Sequence, residues 1–151
     1  MESIWRAGRV LLGLILRRPI VGVCILPILP DGKVVLIRRQ DSGRWGFPGG
    51  LVDWGENILT ATQRELEEET GLDVSEVGRL VGVYSAPNRD SRFHSICIAL
   101  EVRVMGTPVV NDPAEVAAIA SFAWTDLAEL DMAHDHAQHV EDYLAKRTVI
   151  A

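Results

Sequence analysis

A glycine-rich loop of ten residues leads, within a few positions, into a helix carrying four glutamates, and nothing else in the chain restricts its fold so tightly. Residues 41–50 contain Gly43, Gly46, Pro48, Gly49 and Gly50, a composition suited to backbone geometries closed to other residues. The segment Asn57 to Thr70 then reads as a helix, with Gly71 as its C-cap. In Arg64-Glu65-Leu66-Glu67-Glu68-Glu69, helical geometry puts Glu65 on the same side as Glu68 and Glu69. Like charges at those spacings destabilise a helix by roughly 0.2–0.5 kcal/mol per pair. Such a face is either solvated or holds a hard cation. Oxygen ligands without Cys or His select Mg²⁺, Mn²⁺ or Ca²⁺ over zinc. Leu59 and Leu66, seven apart, define an apolar stripe for the opposite, dry side.

The rest of the chain supplies mostly strands. Ile20 to Leu29 and Lys33 to Arg39 are β-rich runs joined at Pro30-Asp31-Gly32, which predicts a hairpin. Leu80 to Tyr84, Ser95 to Val104 and Ser121 to Trp124 read as further strands, and His134 to Lys146 as a last helix. Strands with helices between and after them predict an α/β (α+β) sandwich on a mixed sheet. At 151 residues there is length for a single core, and a net charge of −6 argues against binding nucleic acid through its phosphates. Cys24 and Cys97 sit in apolar runs and read as reduced core residues.

Residues 4–17 read as an extra N-terminal helix with Arg6, Arg9 and Arg17 on one side and Ile4, Leu11 and Ile15 on another. It divides the chain into an amphipathic helix over 1–18 and a main domain over 19–151. The apolar side packs on the domain or a second subunit, favouring a homodimer; a basic surface anchor is the alternative. The apolar run Val10 to Leu16 is too short to span a bilayer, and Arg17-Arg18-Pro19 replaces a cleavage site, so a cytoplasmic location is expected.

Gly50, Glu56, Arg64-Glu65-Leu66, Glu68-Glu69 and Gly71-Leu72 fill every fixed position of a Nudix box over twenty-three residues. With Trp45-Gly46-Phe47-Pro48-Gly49-Gly50 before it and Trp124, Asp126 and Leu127 late in the chain, the sequence resembles the Nudix hydrolases from about Val21 onward. The resemblance implies a Nudix-type α/β/α sandwich and hydrolysis of a nucleoside diphosphate linked to some other group, with Mg²⁺ or Mn²⁺ as cofactor. It assigns Glu65, Glu68 and Glu69 as metal ligands, with backbone carbonyls near Gly49 and Gly50 completing the set. Glu56, Arg64 and Gly71 become structural positions tying loop to helix. For the general base it leaves Glu65 or Glu69 in the box, and Glu115 in the loop Asn111-Asp112-Pro113-Ala114-Glu115.

The segment Tyr84 to His94 contains Pro87, Arg89, Asp90 and Arg92, charges able to clamp a phosphate and a ribose hydroxyl. A proline fifteen residues beyond Leu72 resembles the ADP-ribose pyrophosphatase group, although Ser91 stands where that group often has proline. ADP-ribose or a related nucleotide sugar is therefore the expected small-molecule substrate, with Arg39 and Arg44 as further phosphate contacts. A nucleoside triphosphate pyrophosphohydrolase, a diadenosine polyphosphate hydrolase and a non-catalytic metabolite sensor are the alternatives. The missing tyrosine around positions 88–91 disfavours the second, and the full set of glutamates disfavours the third. His136 and His139 could pair on zinc, but packing suits them better; Trp45 and Trp54 flank the glycine-rich turn and could stack on a base.

Overall fold

Strand β1 (Ile20–Ile28) is apolar at almost every position because both of its faces are covered. In the computed structural model, which describes residues 17–151, Val23 and Ile25 of β1 join one core and Cys24 and Leu26 another. That is the period-two alternation of a strand with a helix on each side. The expected N-terminal helix over 4–17, apart from its last residue, lies outside the described residues.

The elements that follow are β2 (Val34–Arg39), β3 (Trp45–Gly46), β4 (Gly49–Leu51), α1 (Ile58–Thr70), β5 (Asp73–Tyr84), β6 (Ser95–Met105) and β7 (Val116–Phe122). A 3-10 turn (Trp124–Glu129), α2 (His136–Leu144) and β8 (Val149–Ile150) complete the chain. The sheet runs β3-β2-β1-β6-β5-β8, with β4 also paired to β1 and β7 to β2. β1 pairs parallel with β6 and β5 parallel with β8, while the other pairings are antiparallel, so the sheet is mixed. The α/β/α sandwich follows: α1 covers one face, and α2 with the 3-10 turn covers the other.

Helix α1 begins at Asn57, whose side chain accepts from the Thr60 amide at 2.9 Å. It ends at Gly71, left-handed at φ 67°, whose amide returns to the Glu67 carbonyl. Its buried side is Ala61, Thr62, Leu66, Glu69 and Thr70. The apolar stripe expected through Leu59 and Leu66 is half right. Leu66 is fully buried, but Leu59 is exposed, because Ile58 takes the place against the sheet in the first turn.

Three other boundaries differ from the sequence reading. β5 starts at Asp73, seven residues before the expected Leu80, because its first half also pairs with β6, Val74 beside Val104 and Val77 beside Val102. The expected strand Ser121 to Trp124 is the tail of β7, which starts at Val116; Trp124 opens the 3-10 turn and stacks on Tyr143 at 4.3 Å. The glycine-rich loop contains two short strands, and β4 matters most, since it lays Gly49 and Gly50 against Cys24 and Val23.

The placement of the glutamates depends on how α1 sits on the sheet, and Leu66 is its fully buried anchor. Leu66→Ala should lower the unfolding free energy by about 3 kcal/mol, read as a lower urea midpoint with an unchanged slope.

Candidate active site

The site is built from the loop β3–β4, helix α1 and two segments that reach over from the other side of β1. Gly49 has φ 153°, and a Cβ there would run into the Val23 carbonyl oxygen. A Cβ on Gly50 would run into the Glu65 carboxylate. Bare backbone is therefore what lets α1 bring its carboxylates onto β4. The Gly49 amide donates to Glu69 Oε2 at 2.9 Å.

Arg64 holds the loop to the helix. Its Nε and Nη2 donate to the two Glu56 oxygens, both at 2.9 Å, and Nη2 also donates to the Leu51 carbonyl at 3.0 Å. Nη1 donates to Glu65 Oε1 at 2.8 Å and to Glu68 Oε2 at 3.3 Å. The Arg64 hydrogen bonds hold the Glu56 carboxyl down to about 2, helped by the Asp53 amide.

The carboxylates of α1 differ sharply in surroundings. Glu69 is 4% exposed, and burial, with the Glu65 and Glu115 charges adding to it, pushes its carboxyl up to about 8 against the opposing Gly49 hydrogen bond. Burial also raises Glu65, again with Glu115 among the like charges it feels and with Arg64 opposing the rise. Glu68 and Glu115 are exposed. A buried carboxyl crowded by like charges, beside acceptor-only neighbours and backbone carbonyls, is a donor set suited to a hard divalent cation. The residues present fit that group.

A pocket of about 110 Å³ opens beside this cluster, walled by Gly49 and Gly50, by Cys24 and Cys97 on neighbouring strands, and by Arg39, Arg89 and Arg92. Phe47, Phe93, Ser95, Asp90, His134 and His136 also line it. Each arginine is held by an aspartate. Arg39 is bidentate to Asp41 at 2.9 and 2.7 Å, and Arg89 is bidentate to Asp135 at 2.9 and 2.7 Å. Arg92 grips Asp90 at 3.1 and 2.9 Å. Arg89 also donates from Nη1 to Ser95 Oγ at 2.6 Å. A wider, open groove of about 680 Å³ lies along α1, lined by Arg64, Glu67, Glu68 and Asp112.

Several expected residues fall elsewhere. Arg44 is exposed and paired with Asp131 at 3.3 Å, and neither it nor Pro87 lines the pocket. Neither tryptophan lines the pocket: Trp54 is fully exposed, and Trp45 packs edge-on against Phe122 at 5.0 Å. Phe47 and Phe93 are the pocket's aromatic rings. The sequence reading missed Ser95, Cys24, Cys97 and His134 as pocket residues. No local motif marks them, and only the pairing of β1 with β6 and the left-handed turn at His134 (φ 52°) bring them together.

The comparisons with known proteins bear on this geometry. The family described as NUDIX domain matches residues 18–146. The ADP-ribose pyrophosphatase of Methanocaldococcus jannaschii is 39% identical over 118 residues, covering 76% of this chain and 67% of that protein. Other curated relatives are matched over about half of their own length or less. Among solved structures, the MutT NUDIX hydrolase from Burkholderia pseudomallei superposes with a TM-score of 0.73 at 31% identity, covering 83% of this chain and 98% of that one. The NUDIX domain of Shewanella oneidensis NrtR, complexed with ADP ribose, has a TM-score of 0.78 at 21% identity, covering 88% and 91%; that likeness concerns the fold. Among the described residues, no helix is long and apolar enough to cross a membrane.

The pocket's ion pairs set a pH dependence. Hydrogen bonds from Arg92 outweigh burial and hold the Asp90 carboxyl down to about 2, from an ordinary value of 3.8. The stabilisation this implies is complete above about pH 4 and lost as pH falls through about 2. Because Arg92 is half exposed, the amount is discounted to roughly 1–2 kcal/mol. Asp90→Asn should flatten the fall in unfolding free energy between pH 4 and pH 2 by that amount, as measured by urea titration across the range.

Proposed function

The chain belongs to the Nudix hydrolase family, and from that premise we propose that it cleaves the diphosphate of ADP-ribose or a related nucleotide sugar. Mg²⁺ or Mn²⁺ is the cofactor in this reading. The observation that carries it is the Glu69 carboxylate, buried and held by the Gly49 amide at the edge of an arginine-walled pocket. The choice of substrate leans on the identity with the archaeal ADP-ribose pyrophosphatase.

Glu65, Glu68 and Glu69, with a backbone carbonyl of the Gly49–Gly50 turn, would hold the cation. When bound, a divalent cation neutralises phosphoryl oxygens and lowers the pKa of a water molecule. The protein's own groups do the rest. Arg64 and Glu56 hold the loop and helix in register, so the carboxylates meet the substrate already oriented. Arg39 and Arg92 line the pocket and present guanidinium N–H groups to the phosphates. The two phenyl rings and the thiol-lined strands offer a neutral surface for the nucleoside. Glu115 stands exposed on the loop entering β7, close enough for Glu65 and Glu69 to feel its charge, and it takes the proton from the attacking water.

A second reading is nucleoside triphosphate hydrolysis, favoured by the 33% identity over 73 residues with the putative 8-oxo-dGTP diphosphatase of Bacillus subtilis. Product analysis separates the two: AMP and ribose 5-phosphate from ADP-ribose support the first, and a nucleoside monophosphate with pyrophosphate from a triphosphate supports the second. With the preferred substrate, Glu69→Gln should lower kcat at least ~10²-fold. Without added divalent cation, its melting temperature above pH 8 should be no lower than that of the unmodified protein, because there the substitution removes a charge buried beside Glu65. Near-normal turnover in that variant would overturn the placement of the metal.

A further inference from the structure

Behind the pocket wall lies a polar chain that none of the roles above uses. The Phe47 amide donates to His136 Nδ1 at 3.0 Å. A neutral imidazole accepting at Nδ1 carries its proton on Nε2, and His136 Nε2 faces Cys24 Sγ at 3.9 Å. Cys24 Sγ in turn lies 3.3 Å from His139 Nδ1. His139 Nε2 lies 3.5 Å from Asp135 Oδ1, and Asp135 holds Arg89 with both oxygens. The donor at Phe47 fixes the His136 tautomer; onward, the Cys24 thiol can donate to His139 Nδ1, which leaves His139 Nε2–H facing Asp135. Burial agrees with this order, since it holds the His136 ring neutral and the Cys24 thiol protonated.

Cys24, His136 and His139 also lie close enough together to suggest a soft metal ion. His136 speaks against it. Coordination through Nε2 would put a proton on Nδ1, facing the Phe47 N–H donor. The unusual atom is instead His139 Nε2, a buried side-chain nitrogen with no hydrogen-bond partner at good geometry. An orphan of that kind costs stability and calls for a reason. Its nearest acceptor is the carboxylate that grips Arg89. Of the five guanidinium N–H groups, Asp135 and Ser95 engage three, leaving two to meet a ligand.

We infer that His139 is a positioning residue for the nucleotide pocket: its Nε2–H braces Asp135, and Asp135 holds the Arg89 guanidinium in the pocket wall. His139 is fully buried and itself reaches no ligand. The inference rests on the pocket being the nucleotide site. It also makes Cys24 the residue that selects the His139 tautomer.

His139 stacks on Tyr84 at 3.8 Å, so a packing role must be separated from a polar one. His139→Phe keeps the stacked ring and loses the N–H, whereas His139→Gln loses the ring and keeps an amide donor. Positioning predicts that the Phe variant raises KM for ADP-ribose, and the Kd for AMP measured calorimetrically without metal, about tenfold with kcat unchanged. The Gln variant should stay near the unmodified protein. The reverse order, or equal effects, would overturn the inference. An independent readout needs no substrate and no variant: ¹⁵N-histidine NMR of the unmodified protein should find His136 and His139 both protonated on Nε2. A His139 protonated on Nδ1 would overturn the inference even if ADP-ribose is the substrate. Failure of the unmodified protein to bind AMP or ADP-ribose would overturn the proposed function and this inference together.

Discussion

The contact between the Gly49 amide and the Glu69 carboxylate is the one on which the site depends. It sets a buried acid against bare backbone, in a place where any side chain on Gly49 would strike the neighbouring strand. A carboxylate in that position is expensive to keep charged, and Glu65 beside it adds to the cost. The fold offsets this on the other side of the loop. Arg64 gathers Glu56, Glu65, Glu68 and the Leu51 carbonyl around one guanidinium, so charge on the loop and charge on the helix share a counterion. Remove either half and the glycines no longer lie over the glutamates. The crowding of those acidic oxygens is what makes them a donor set suited to a divalent cation.

How far the sequence could be read follows from which interactions are local. Asn57, Gly71 and the glutamates lie within one helix, so their spacing alone placed them on their elements. The mixed sheet followed from strands interrupted by helices. β7 was largely missed because Val116-Ala117-Ala118-Ile119-Ala120-Ser121-Phe122 is rich in alanine and alternates weakly. Its pairing with β2, not its propensity, makes it a strand. The pocket was partly legible. Arg39, Arg89, Asp90 and Arg92 could be picked out by their chemistry, but Ser95 and Cys97 reach the pocket only because β6 runs parallel to β1. Trp45 and Trp54 lie outside the pocket wall for a related reason: proximity in sequence to the glycine-rich turn says nothing about which side of it a ring falls on.

The same distinction explains how a chain of net charge −6 can receive an anionic substrate. Net charge governs the distant field, which weakens within about 10 Å at ordinary salt. Binding is decided by the local pairs, and here Asp41, Asp135 and Asp90 each hold one arginine. Pairing lowers the positive potential of the pocket, but it also fixes the guanidinium forks before a ligand arrives. The arrangement trades raw attraction for orientation.

That trade has a consequence for the order in which groups are committed. Arg39 and Arg92 are linked through Asp41, which lies 3.8 Å from Arg92, so the arginines at the pocket mouth form one exposed network. Arg89 belongs to a different, buried one, with a side chain only 7% exposed. A phosphate at the mouth can compete with Asp41 for Arg39 and Arg92 at little cost, because Asp41 is half exposed and water screens it. Displacing Asp135 would require the Arg89 side chain, only 7% exposed, to give up its bidentate partner inside the pocket wall. The mouth arginines are thus able to exchange partners as a diphosphate enters and leaves, whereas Arg89 stays with Asp135 and gives the pocket a wall of constant shape. Chemically identical residues of one pocket thus differ in how freely they can exchange partners, according to how deeply each guanidinium side chain is buried.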